Sequence, residues 1–218
     1  LCIPVLFIYF SFFANAFILD STGELTLQNF QFLYQPIQLS QYTVEPIGKA
    51  FRNTVIFTAI ATTLEVTISC MAGYALARME FTGKRVISFS LLTLRLFPGV
   101  LLLIGVLYVL LHLGILNTLT GVIVVAIALR LPGSTFIIRN FFAGIPQDIE
   151  NSALVDGCNR LTAFFQVIIH MVKPGLASIS IFAFMSAWSN YLLFNVLIFN
   201  TKTPVLATYL RVLSRNDQ

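Results

Sequence analysis

The strongest constraint on this chain is a set of five long apolar runs, at residues 1–19, 54–77, 87–111, 119–138 and 175–199. About 20 apolar residues are what an α-helix needs to cross the hydrocarbon of a bilayer. Each run is therefore read as a membrane span, and the expected fold is all-α: a polytopic transmembrane helical bundle, with residues 1–218 forming one transmembrane domain. Composition agrees. Hydrophobic residues make up 57% of the chain and charged residues 10%, against about 25% charged in an ordinary soluble domain. The net charge of +4 comes without a basic run, which excludes a nucleic-acid-binding surface. Cys2, Cys70 and Cys158 are scattered and give neither a disulfide framework nor a metal site. The first run lacks a positive leader and a small-residue cleavage site, so it is not read as a signal peptide. It begins at Leu1 inside apolar sequence, and the chain stops in the polar stretch 214–218, so both ends read as cut.

The connections carry the remaining information. Residues 20–52 form a polar connection rich in Gln, Thr and Tyr. Residues 145–176 read IPQDIENSALVDGCNRLTAFFQVIIHMVKPGL. Loops beyond ~12–15 residues are usually functional. Pro146 suits the first position of a helix, where its missing N–H would be unpaired anyway. Asp148 and Glu150 then fall in the first turn, where the helix dipole favours negative charge. Ala153 and Gly157, four apart, share one nearly flat face that lets another surface approach closely.

Residues Ile145, Pro146, Asp148, Ala153, Asp156, Gly157, Phe164, Val167, Pro174 and Leu176 follow, without a gap, the pattern of a coupling loop. The segment resembles the EAA loop of bacterial ABC-transporter permeases of the carbohydrate-uptake type, the maltose-permease-like branch. Two departures stand out: Asn151 and Ser152 occupy the first two EAA positions, and His170 replaces a turn proline. Further stretches extend the resemblance over most of the chain. They are Arg52 to Thr54, Ala72 to Arg78 (AGYALAR), Phe81 to Arg85 (FTGKR), Arg95 with Phe97 and Pro98, and Phe182 to Phe194 with Trp188, Asn190 and Tyr191.

The resemblance implies the membrane subunit of an ATP-driven importer. A coupling helix at about 146–158, within a cytoplasmic loop 145–174, would dock on an ATPase through Glu150, Asn151, Ser152, Ala153, Asp156 and Gly157. The implied partners are a second permease subunit in a heterodimer, two cytoplasmic ATPase subunits carrying ATP-Mg, an external solute-binding protein and a polar solute of carbohydrate type. The implied location is the bacterial inner membrane. A six-span core is also implied, with the sixth span beyond Gln218. No catalytic set and no GxxxxGK[ST] loop is present in the sequence, so no cofactor is expected on this chain.

Short-loop charge sets the expected topology. Arg78, Lys84, Arg85, Arg139, Arg160 and Lys173 fall on one side, and Lys49, Arg52, Lys202, Arg211 and Arg215 on the other. Weighting the short 79–86 loop makes that side cytoplasmic, with 23–46 and 202–218 external. Within the spans, Glu65, Arg95 and Arg130 are ionisable and therefore candidates for a pathway or for structural ion pairs. Arg95 and Arg130 are each expected within two turns of a span end. Trp188, Asn190 and Tyr191 offer an aromatic and amide surface suited to sugars or to helix packing. Pro98–Gly99 and Leu131–Ser134 are expected to interrupt their helices. An ion-gradient-driven secondary transporter or channel, with Glu65 as relay, is the alternative reading.

Overall fold

The structure, a computed structural model, describes residues 7–11, 15–18, 27–38, 43–44, 46–199 and 204–209. It divides into two units, residues 1–53 with 204–218, and residues 54–203. In the first, a 3-10 turn at Gln28–Leu33 precedes a minimal antiparallel pair, β1 (Ile37–Gln38) and β2 (Thr43–Val44), with Ile37 opposite Val44. Asn53 Nδ2 donates to the Pro204 carbonyl at 3.0 Å. The first expected span and the 202–218 segment lie largely outside the described residues.

Helix α1 (Ile47–Arg78) is longer than the run that suggested it. Its buried positions Thr54, Thr58, Ala61, Glu65 and Ser69 recur every three or four residues and make one stripe. The opposite face exposes Val55, Ile56, Ile60, Leu64, Ile68 and Met71. Polar groups inward and apolar groups outward is the arrangement a lipid solvent dictates.

The expected third span is two helices, α2 (Lys84–Leu96) and α3 (Gly99–His112). Phe97 and Pro98 between them are extended. A residue before proline is pushed out of the α region, and proline itself donates no hydrogen bond, so the helix ends there. The fourth expected span corrects in the other direction. Helix α4 (Leu119–Ala143) runs uninterrupted through Pro132 and five residues past Ile138. Thr118 starts it, its Oγ1 accepting from the Gly121 amide at 3.0 Å. Buried contacts before Pro132 (Val125, Ala126, Ile127) and after it (Thr135, Ile138, Phe142) hold both halves in line.

After α4 come α5 (Gln147–Val155), α6 (Arg160–Ala163), a π turn (Phe164–Ile168) and α7 (Ile169–Met171). Helix α8 (Lys173–Trp188) and α9 (Tyr191–Leu197) replace the single fifth span. Sixteen residues rise only about 24 Å, short of the ~30 Å hydrocarbon. By length and composition α1 and α4 can each cross a membrane. Two bent pairs bring the candidates to as many as four among the described residues: α2 with α3, and Arg160–Met171 with α8.

Candidate functional site

The 145–176 segment is seated against the ends of α1 and α4. Tyr74, Phe142 and Phe164 meet ring to ring, with Tyr74–Phe164 centroids 4.7 Å apart and Tyr74–Phe142 5.6 Å. Cys70, Ile138, Ile145, Ile168, Val172 and Ile179 close this core. The loop is thus packed into the bundle through Ile145, Phe164, Ile168 and Val172.

Pro146 stands at the N-cap of α5 rather than in its first turn, and the helix begins at Gln147. The exit is a Schellman motif. The Gly157 amide donates to the Leu154 carbonyl at 3.2 Å and the Cys158 amide to the Ala153 carbonyl at 3.0 Å. Gly157 sits at φ +91°, a backbone conformation for which glycine is suited because it has no Cβ.

Helix α5 has two faces. Glu150 and Ala153 are buried inward. Tyr74 Oη donates to Glu150 Oε1 at 2.7 Å, and Arg78 Nη2 donates to the Ile145 carbonyl at 2.7 Å. Arg78 Nε lies 3.4 Å from Glu150 Oε2, an ion contact without hydrogen-bond alignment. The expected flat face shared by Ala153 and Gly157 is therefore divided: Ala153 packs against the bundle, whereas a Cβ at Gly157 would meet no atom within 4 Å. The outer face carries Asp148, Asn151, Ser152, Val155 and Asp156 around an open hollow, and Val155 is 87% exposed. The signal for this division lay in α1. Tyr74 and Arg78 are four apart on one helical face, but their partner is 76 residues from Tyr74 and could not be read locally.

The intramembrane candidates separate into two places. Glu65 is buried in α1; Ser134 Oγ donates to its Oε1 at 2.5 Å, and Arg130 Nη1 stands 3.9 Å from its Oε2 and 3.3 Å from the Ala183 carbonyl. Arg130 lies mid-way along α4, and Arg95 at the junction of α2 and α3. Arg130 is away from both ends of α4 because that helix continues past its apolar run, whereas Arg95 is in the last turn of α2. Trp188, Asn190 and Tyr191 instead gather at the α8–α9 break. Trp188 stacks on Phe184 with centroids 5.8 Å apart, Asn190 Oδ1 caps α9 by accepting from the Leu193 amide, and Tyr191 Oη donates to Asn195 Oδ1. The structure does not bring this trio to Glu65.

The family described as "Binding-protein-dependent transport system inner membrane component" matches residues 65–211. The chain is 35% identical over 195 residues to a diacetylchitobiose uptake system permease protein of Streptomyces coelicolor, covering 88% of this chain and 62% of that one. It is 32% identical to a sulfoquinovosyl glycerol transport system permease protein of Agrobacterium fabrum, over 87% of this chain and 67% of the relative. It therefore spans about two thirds of the length of these relatives. Among solved structures, a bacterial ABC transporter involved in import of the acidic polysaccharide alginate superposes with TM-score 0.68 at 24% identity, over 75% of this chain and 57% of that one. With two thirds of its length matched, the chain belongs to the binding-protein-dependent transport system inner membrane components.

Proposed function

We propose that this chain is a pathway-forming subunit of an ATP-driven importer of a carbohydrate or related polar solute, coupled through α5 to a cytoplasmic ATPase. The observation that carries the reading is the two-sided α5. Its inner face is tied to α1 by Glu150, Tyr74 and Arg78, and its outer face is open and presents Val155 among Asp148, Asn151, Ser152 and Asp156. A helix held rigidly to a membrane span on one side and open on the other can pass a push on its outer face to the bundle.

In this reading Asn151, Ser152, Val155 and Asp156 meet the ATPase, while Glu150 and Ala153 position the helix. Two ATPase subunits hold ATP-Mg, a second permease completes the pathway, and an external binding protein delivers solute. The chain itself contributes no hydrolytic group. The bundle lies in the bacterial inner membrane with α5 on the cytoplasmic side. The alternative, an ion-driven transporter, offers no role for an apolar side chain held open between acidic ones. Val155→Arg in the assembled transporter should detach the ATPase and abolish uptake while the bundle still inserts. Retention of both at wild-type levels would refute the reading.

A further inference from the structure

A cleft of about 310 Å³ opens between α1, the α2–α3 junction, α4 and α8, walled by Glu65, Arg95, Arg130, Ser134, Phe182 and Ser186. We infer that this cleft is a transit site for the anionic group, a carboxylate or sulfonate, of a polyhydroxylated solute, with Arg95 as its anion-binding residue. The inference rests on the importer reading and adds the chemical class of what passes.

Depth is the first argument. Arg95 lies about 17 Å along the helix from Lys84, and Arg130 about 17 Å from Leu119. Arg130 is thereby near the middle of α4, a helix long and apolar enough to cross a ~30 Å hydrocarbon layer, and Arg95 stands on the same cleft where the α2–α3 pair bends. An ionised side chain at that depth is costly unless it faces a partner or a water-filled cavity.

Charge is the second. Arg130 is already matched: Glu65 faces it, and the Ala183 carbonyl accepts from it. Glu65 in turn is held by Ser134. Arg95 is exposed and makes no hydrogen bond or ion pair among the described residues. Among the described residues the cleft therefore keeps one uncompensated positive charge, and that charge is on its wall. A cationic solute would be repelled there, and a neutral one would leave Arg95 unmatched.

The walls complete the argument. Helix α3 starts at Gly99 on the cleft, so the positive end of its dipole also faces this region, and the space where a Cβ would stand at Gly99 is open. Ser134 and Ser186 supply hydroxyls, while Phe97 and Phe182 supply ring faces for the apolar side of a sugar.

The test uses the whole transporter in proteoliposomes, with Ser186→Cys as the only cysteine of this chain. The probes are sulfonatoethyl and trimethylammonioethyl methanethiosulfonate, each rate normalised to a free thiol. The anionic reagent should react at least about tenfold faster. Arg95→Gln should bring the ratio close to that of the free thiol, and Arg95→Lys should keep most of it. Digalacturonate should slow modification, and lactose at the same concentration should not. A ratio equal to that of the free thiol, a ratio unaffected by Arg95→Gln, equal protection by lactose, or no modification at all would each overturn the inference. ATPase co-purification and hydrolysis on the same samples report the importer reading separately. A transporter that hydrolyses ATP normally but shows no anion preference refutes the site and leaves the coupling intact.

Discussion

Replacing Tyr74 by Phe removes one oxygen and leaves the ring contacts with Phe142 and Phe164 in place. That oxygen donates the 2.7 Å hydrogen bond to Glu150 Oε1. The other carboxylate oxygen has Arg78 Nε at 3.4 Å but no aligned donor, so the substitution leaves a buried carboxylate without any directed hydrogen bond. A hydrogen bond to a charged group contributes about 1.5–3 kcal/mol. At 1.4 kcal/mol per factor of ten, that corresponds to a roughly 10- to 150-fold shift toward an undocked α5. Amide hydrogen exchange in the reconstituted transporter reads this directly. Residues 147–158 should exchange faster by about that factor in Tyr74→Phe, while the amides of α4 stay protected. ATP hydrolysis should then run with less solute uptake per ATP. Unchanged exchange in 147–158 would refute the claim that Tyr74 and Glu150 form the joint. Equal acceleration in α4 would show a general loosening instead.

Two further outcomes separate backbone from surface effects. Gly157→Ala should destabilise the end of α5 by about 1–2 kcal/mol, because a Cβ is strained at its φ of +91°. Gly157→Leu should melt with Gly157→Ala, since nothing lies within 4 Å of the added Cβ. Any extra loss of ATPase association in Leu over Ala, measured by pull-down, assigns the position to the docking surface. At Gly175 the added Cβ would stand 2.5–2.9 Å from ring atoms of Phe141. Gly175→Ala should therefore lower stability in a detergent thermal melt by about 1–3 kcal/mol. Gly175→Ala combined with Phe141→Leu should recover part of it.

Much of the fold was legible because its cause is local. Apolar length and the need of each backbone group for a partner within lipid act on contiguous residues, so the spans at α1 and α4 could be placed without tertiary information. The α2–α3 break was also local, being written in Phe97 and Pro98. Pro132 shows the limit. The same residue type in α4 does not end the helix, because the contacts on either side of it are long-range.

The candidate site divides along the same line. The sequence alone sufficed to mark 145–176 as a long, partly helical connection and Gly157 as special, since cap chemistry and loop length are sequential properties. Which face of α5 turns inward was decided only by packing. Glu150 meets Tyr74 and Arg78 because the ends of α1 and α4 close over the loop, and Ala153 is buried by the same contact. Glu65, Arg130 and Ser134 likewise meet only when α1 packs on α4. Arg95 is left without a partner among the described residues for the same reason, since a helix can place a side chain along its length but its partner comes from another helix.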